Sequence, residues 1–397
     1  MEQHNFYQDL LGLPDLKITS VERYTKKIIL HCHLENDLSI CPTCGEPTSI
    51  VNQKETRKIR DLDISGKEVW LHLKIRQFIC YPCNRYFNEC PDWVESRKTY
   101  TKRQAKWVFE LCAKQPFKEV GAQTNMCPKT VERLYYELAQ VSINLKERYK
   151  QVRKLGIDEI SKKKGKKDYA CVLTDLERGI QLDVLKDRKK ETLLAHFQSL
   201  GSNFCSQIEV VSCDMWKTYI NVSKECFVNA SIVIDRFHVV KSLNEVLDKI
   251  RKKLRKEFKE EECFKNIKWK LYKRVENCSE QEYKVLEDAL NKSWELAEVY
   301  QLRNTFNSMF DIATKNQELI GELDSWIEHA SLIGNKDLDR FIKTLRNWKP
   351  EIAAFAETGI TNAVTEGLNN YLRYFKRISF GLPNFENMRL RILQATS

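Results

Sequence analysis

Glycine and proline are scarce in this chain, 13 and 9 of 397 residues. No segment repeats and none is of low complexity, which excludes solenoid, collagen-like and linker-dominated architectures. No apolar run is long enough to span a bilayer, so a transmembrane helix is not expected. The opening MEQHNFYQDLLGLPDL lacks the basic segment followed by an apolar one that marks a secretory signal. The expectation is therefore a cytoplasmic, nucleoid-associated protein. Thiols stay reduced there, so the fourteen cysteines do not read as a disulfide framework.

What is present suits a soluble chain of two or three domains. Hydrophobic residues make up 42% and charged residues 30%, and 66 lysines and arginines against 55 acids leave a formal charge of +11. A basic surplus fits a polyanionic partner, because each phosphate neutralised releases counterions. Many basic proteins touch no nucleic acid, so charge alone decides nothing.

Residues 1–35 read as a short helix and then a strand, VERYTKKIILHCHLEN. The stretch 41–90 is strand-rich, 96–140 turns helical, and LKERYKQVRK reads as a charged helical linker. From 154 to 240 the runs KLGIDEI, DYACVLTD, IQLDVLKD, RKKETLLAHFQSL, QIEVVSC, WKTYINVSKE and SIVIDRF follow the order βββαβαβ, that of the ribonuclease H-like fold. Residues 241 to about 355 are helical throughout, and the helix TNAVTEGLNNYLRYFKRI closes the chain before a short tail. The fold class expected is multidomain α/β. A zinc ribbon (1–95) comes first, then a helix-turn-helix with linker (96–150). The first part of a catalytic core (151–245) is followed by an all-helical insertion (246–355) and a final catalytic helix with tail (356–397).

Cys41-Pro-Thr-Cys44 and Cys80-Tyr-Pro-Cys83 are two knuckles. Each offers two thiolates from a tight turn, and together they complete a closed tetrahedral shell for a structural Zn²⁺. His31, Cys32, His33 and Cys90 stand near enough in sequence to replace or supplement one of the four.

In PFKEVGAQTNMCPKTVERLYYELA a helix from Phe117 to about Gln123 is followed by Asn125, which tolerates the left-handed turn conformation. Pro128 suits the first turn of a second helix, with Val131, Leu134, Tyr135 and Leu138 on its buried side. Lys129, Thr130 and Arg133 then face outward, towards a DNA major groove if this is a reading head. An ordinary helical hairpin is the plainer alternative.

Asp158 lies in the first strand of the βββαβαβ series and Asp214 ends the fourth. In a ribonuclease H-like sheet these strands are parallel neighbours, so the two carboxylates meet. Carboxylates forced together repel unless a cation lies between them, and hard divalent ions, Mg²⁺ or Mn²⁺, are the natural occupants. A third acid is needed for a second ion. On the last helix Val364, Leu368, Tyr371, Phe375 and Ile378 form an apolar stripe. Asn362, Glu366, Asn369, Arg373 and Lys376 form a polar one beside it. From pattern alone, a solvated face bearing one glutamate is the simpler reading of Glu366.

The segments LGIDEISKKKGKKDYACVLTDLERG, VVSCDMWKTYI, VIDRFHVVKSLNEVLD and TEGLNNYLRYFKRISFGLPNFENMRLRIL resemble the transposase domain of the ISL3 family of insertion sequences. CPTCG with RKIRDLDISGKEVWLHLKIRQFICYPCNRYF, and the helix-turn-helix after it, resemble that family's amino-terminal part. The likeness covers nearly the whole chain, weakest from about 250 to 350. It implies a DDE triad at Asp158, Asp214 and Glu366, holding two Mg²⁺ ions roughly 3.5–4 Å apart. It further implies strand cleavage and strand transfer at the terminal inverted repeats of an element, and a homodimer or higher assembly on double-stranded DNA. Arg373 and Lys376 are the phosphate-contacting candidates beside Glu366. Asp235-Arg-Phe-His238 resembles the D-x-x-H signature of several transposase groups, where His238 orients DNA or makes a structural hydrogen bond. Lys162, Lys163, Lys164, Lys166 and Lys167 crowd one hairpin turn, as a phosphate grip or as a solvated loop. Two other classes remain: a zinc-ribbon regulator that no longer cuts, and a structure-selective nuclease of the junction-resolvase kind.

Overall fold

The computed structural model describes residues 2–162, 168–273, 277–378 and 384–396. The chain divides into two compact units, Met1–Val141 and Ser142–Ser397.

In the first unit, helix α1 (Glu2–Leu11) precedes strands β1 (Leu16–Arg23), β2 (Lys27–Leu34), β3 (Ser39–Ile40), β4 (Pro47–Thr48), β5 (Val51–Ile64), β6 (Lys67–Cys80) and β7 (Arg85–Asn88). The single strand expected before residue 35 is two strands. Tyr24 donates its N–H to the Lys27 carbonyl at 2.8 Å, and the chain turns back there. The main sheet runs β1-β2-β6-β5, with β7 on β6, and β3 pairs β4 separately. Side chains alternate across a strand, so Leu71, Leu73 and Ile75 of β6 enter one core with Leu16, Ile18, Leu30, Cys32 and Ile59. Helices α2 (Lys102–Cys112), α3 (Phe117–Thr124) and α4 (Pro128–Ser142) follow.

The second unit opens with a short helix α5 (Leu145–Arg148), far less than the helical linker expected; strand β8 begins at Lys154. The order is then β8 (Lys154–Ser161), β9 (Tyr169–Asp175), β10 (Ile180–Leu185), α6 (Lys190–Leu200), α7 (Ser202–Gln207), β11 (Val210–Cys213), α8 (Lys217–Cys226), β12 (Ser231–Ile234) and α9 (Arg236–Glu257). The five strands lie in the order β10-β9-β8-β11-β12. Strands β8 and β9, and β9 and β10, are antiparallel, whereas β11 is parallel to both β8 and β12. Helices α10 (Lys268–Tyr272), α11 (Glu280–Asn291), α12 (Trp294–Ile312), α13 (Asn316–Ser331), α14 (Lys336–Ala353) and α15 (Phe355–Thr358) lead to α16 (Ala363–Ile378) and α17 (Phe385–Ala395). Among the described residues no helix is long and apolar enough to cross a membrane.

One sheet face, with Leu155, Ile157, Leu173, Leu182, Val211 and Ile234, joins α6, α8 and the insertion in a single large core. The other face takes the end of the chain. Ile160, Ala170, Val172 and Val184 pack with Leu372 of α16 and with Met388 and Ile392 of α17. The expected short tail is thus a helix. Asn384 caps its N-terminus by accepting from the Asn387 N–H, and Arg389 pairs both guanidinium ends with Asp183.

Helix α16 meets the sheet at Gly156 of β8. A methyl there would lie 2.7 Å from Thr365 Oγ1, 2.8 Å from a Leu176 methyl and 3.0 Å from Asn362 Oδ1. Gly156→Ala should push α16 off the sheet and cost about 1–3 kcal/mol, read as a lower melting temperature of the carboxy-terminal unit. An unchanged melt would show that α16 does not seat there.

Candidate active site and zinc cluster

The parallel pairing of β8 with β11 sets Cys213 opposite Ile157, so Asp158, inside β8, and Asp214, the first residue past β11, stand side by side where that ladder ends. A proton acceptor joins them from α9. Ligand atoms of Asp158, Asp214 and His238 all lie within 4.8 Å of one another, and His238 Nε2 is 2.8 Å from Asp214 Oδ1. Asp158 is buried. Its Oδ1 accepts the Glu159 N–H at 2.7 Å, and its Oδ2 accepts from Asn369 Nδ2 at 2.6 Å. Asp235 caps α9 by accepting from the Phe237 N–H at 3.3 Å.

Burial, and next the charge of Asp214, push the Asp158 carboxyl up to about 6. Burial likewise raises Asp235, against the Phe237 N–H. At His238 burial opposes the charged form, yet its hydrogen bond to Asp214 and the charges of Asp214, Asp235 and Asp158 leave its pKa raised. Two carboxylates and an imidazole whose ligand atoms lie this close fit a hard divalent cation, which prefers carboxylate oxygens to softer donors.

A pH dependence follows for the protein without metal. Asp158 is more readily protonated when folded than when unfolded. Its stabilising contribution is therefore present below the ordinary carboxyl range and is lost as pH rises through about 6. His238 acts in the same direction. A shift of about two units corresponds to a ceiling on the order of 3 kcal/mol. With no Mg²⁺ or Mn²⁺ added, Asp158→Asn should gain on wild type in melting temperature as pH rises from about 3.5 to 8, most of the gain falling below pH 6. A difference that does not change with pH contradicts this account.

Glu366 stands on the first turn of α16, half-buried, and is not one of the three clustered groups. The residue of that helix that reaches Asp158 is Asn369, one turn further on and fully buried. The helix turns the Asn362, Thr365, Asn369 and Leu372 side of its surface inward, while Val364 and Tyr371 of the apolar stripe are exposed. The sequence pattern gave Asn369 no role, because an amide on a polar stripe looks the same whether it meets water or a carboxylate. Arg373 is exposed and donates to Asn370 Oδ1 at 2.6 Å. The Lys376 side chain and residues 163–167, which hold four of the five hairpin lysines, lie outside the described residues; Lys162 pairs with Asp168 at 2.6 Å.

In the amino-terminal unit Cys41, Cys44, Cys80 and Cys83 gather with all four sulfurs within 4.8 Å of one another. The Cys41–Cys83 and Cys44–Cys80 sulfurs are 3.8 and 3.5 Å apart. A tetrahedron with Zn–S arms of ~2.3 Å has edges of about 3.8 Å, so the four thiols fit zinc as they stand. Backbone N–H groups of Cys44 and Thr43 pull the Cys41 thiol down to about 6. None of the spare candidates joins in. Cys32 is buried in the sheet core, where burial pushes its thiol up to about 12. His31 meets Glu22 at 2.6 Å, His33 is half-buried outside the cluster, and Cys90 donates to the Val94 carbonyl. Of the remaining single cysteines Cys112, Cys171 and Cys213 are buried as expected of small apolar residues, whereas Cys127 is exposed.

Asn125 takes the left-handed conformation, φ 51° and ψ 39°, between α3 and α4. The tight turn also needs Gly121, where a methyl would sit 2.8 Å from the Met126 carbonyl oxygen. Val131, Leu134 and Tyr135 are buried and Leu138 half-buried. Lys129 and Arg133 are exposed and Thr130 is half-buried.

An acid pair beside neighbouring parallel strands in one unit and a four-thiol knuckle pair in the other are two groups that could each hold a metal ion. Comparison with known proteins gives the chain's class its name. Residues 155–392 match the transposase family DDE_Tnp_ISL3, and residues 37–83 match the zinc-finger of transposase IS204/IS1001/IS1096/IS1165. The chain is 26% identical over 361 residues to the transposase for insertion sequence element IS1001 of Bordetella parapertussis, covering 90% of this chain and 88% of that one. It is 23% identical over 370 residues to the transposase for IS1557 of Mycobacterium tuberculosis, covering 86% and 82%. The chain belongs to the ISL3 family of DDE-type insertion-sequence transposases.

Proposed function

We propose that the protein binds the terminal inverted repeats of its own element and cuts and joins DNA strands with Asp158, Asp214 and Glu366. The observation that carries the reading is the meeting of Asp158, Asp214 and His238 at the end of adjacent parallel strands, inside the segment that matches the transposase family. The strand order β10-β9-β8-β11-β12 with one antiparallel half supports a ribonuclease H-like core, interrupted by the helices of 246–355. The domain partition 1–95, 96–150, 151–245, 246–355 and 356–397 belongs to the same reading.

Asp158 and Asp214 would hold a divalent cation, Mg²⁺ or Mn²⁺, with Glu366 as the third acid. Bound there, such an ion supplies Lewis-acid charge at the scissile phosphate. Asn369 and the Glu159 N–H fix the two oxygens of Asp158 in different directions, so the carboxylate is oriented before any ligand arrives. His238 does the same for Asp214. Hydrolysis frees a 3′-hydroxyl at the element's end, and that hydroxyl then attacks target DNA. No side chain becomes bonded to DNA. The four cysteines would hold a structural zinc. Lys129, Thr130 and Arg133 would read the repeats, with Arg373 and Lys376 on phosphates near Glu366. Cutting both ends in one complex calls for two copies of the chain.

The test is a footprint and a strand-cleavage assay on the DNA flanking the chain's own gene, with Mg²⁺. Protection and cutting at the repeat ends is the expected result. Protection without cutting favours a regulator, and cutting of branched DNA without a footprint favours a junction nuclease.

A further inference from the structure

Two residues past Asp214, Trp216 stands at the start of α8 with 42% of its surface exposed. Its backbone N–H bonds back to the Asp214 carbonyl at 2.6 Å, which ties the ring's position to that of the acid. The guanidinium of Arg188 lies 4.2 Å from the centre of the Trp216 ring and 4.5 Å from that of Tyr169. Arg188 is itself anchored by an ion pair with Glu159, the residue after Asp158. The two acids are thus each followed, within two residues, by one half of a single assembly: Glu159 holds Arg188, and Arg188 backs Trp216.

The Arg188 guanidinium takes one flank of the indole while much of the residue stays exposed, a surface on which a planar base can stack. Its neighbour is a site that must reach a phosphodiester near a duplex end. Bases next to such a phosphate can be drawn out of the stack for a few kcal/mol, and stacking on an aromatic side chain returns a similar amount whatever the base. We propose that Trp216, backed by Arg188, is a stacking platform for a nucleobase unstacked beside the cleaved phosphate. This rests on the reading that Asp158 and Asp214 act on element ends, and it assigns that site a nucleotide-binding subsite. Arg188 is a positioning residue here, because it acts through the indole. The platform is indifferent to base identity and supplies grip, leaving sequence reading to other parts of the chain.

The test is a binding cycle with the full, zinc-loaded chain and no added Mg²⁺ or Mn²⁺, so that no cutting intervenes. Wild type, Trp216→Ala and Trp216→Tyr are each titrated with a duplex of the chain's own element end. The same duplex carrying an abasic site, moved through the nucleotides around the cut, completes the cycle. At one position the abasic site should weaken wild type by about tenfold and weaken Trp216→Ala hardly at all, while Trp216→Tyr keeps most of the coupling. Arg188→Gln should give an intermediate loss. Equal abasic effects in wild type and Trp216→Ala at every position, with wild type still preferring its own ends to scrambled duplex, overturn the platform and leave the transposase reading intact. No preference for the element ends by wild type overturns both.

Discussion

Asp158→Asn and Asp214→Asn should each lower cleavage of the element ends by at least about a thousandfold, with binding of the same DNA unchanged. The size follows from what the pair supplies: removing one of two carboxylates that hold a catalytic cation forfeits several kcal/mol of charge stabilisation, and each 1.36 kcal/mol is tenfold in rate. Binding is expected to persist because neither side chain lies in the amino-terminal unit, where the DNA-reading candidates stand. Glu366→Gln is the sharper member of the series. The described geometry brings His238 to the pair and keeps Glu366 outside it, while Asn369, on the helix that carries Glu366, bonds to Asp158. Loss of cutting in Glu366→Gln comparable with the two aspartates would establish Glu366 as the third acid. Full activity in Glu366→Gln, together with loss in His238→Ala, would assign the third position to the histidine instead. Cutting that survives both aspartate substitutions would end the DDE assignment of these residues.

Replacing Cys41 and Cys44 together by serine should remove zinc from the protein and unfold the neighbourhood of the knuckles. The four sulfurs link two turns, 41–44 and 80–83, separated by strands β4 to β6. Cys80 ends β6, where Phe78 stacks on Phe87 of β7, but around the 41–44 turn lie the two-residue strands β3 and β4 and the exposed Leu38 and Ile40. That end of the unit has little apolar core, so the metal supplies most of its folding energy, as in small zinc domains where the figure is about 10–16 kcal/mol. Zinc measured by elemental analysis should fall from one per chain to none. Proteolysis should then open the 36–50 segment first, while the β1-β2-β6-β5 sheet keeps its own core. Unchanged zinc content would show that other ligands hold the ion. Sensitivity of DNA binding to chelator, with melting of the carboxy-terminal unit unaffected, would tie the zinc to the reading head.

Several features were legible before any coordinates. Short, nearly continuous apolar runs mark the strands of 154–240, because the sheet is covered on both faces, and period-3.6 hydrophobicity marks most of the helices, which bury one face each. The CxxC pairs point to a tetrahedral thiolate site because two knuckles offer four thiols, and the structure brings all four together. Asp158 and Asp214 follow from strand order alone, since parallel neighbours in the sheet carry their ends to one place. Other features were not legible. The turn at Tyr24–Lys27 splits an apparently continuous strand through a single backbone hydrogen bond. Helix α17 reads as a tail because it is a short stretch after the last long helix, and only contact with β8–β10 makes its Met388 and Ile392 core.

The sequence by itself determined the order of elements from 154 to 240, the gathering of the four cysteines and the meeting of Asp158 with Asp214, since each depends on residue type and on spacing along the chain. The tertiary structure decided which polar groups meet across long separations: Asn369 on Asp158, 211 residues apart, His238 on Asp214, and Arg188 between Glu159 and Trp216. Those contacts depend on how helix α16 and the loops at the strand ends come to rest on the sheet. A polar side chain carries no mark in sequence of whether its partner will be water or a carboxylate.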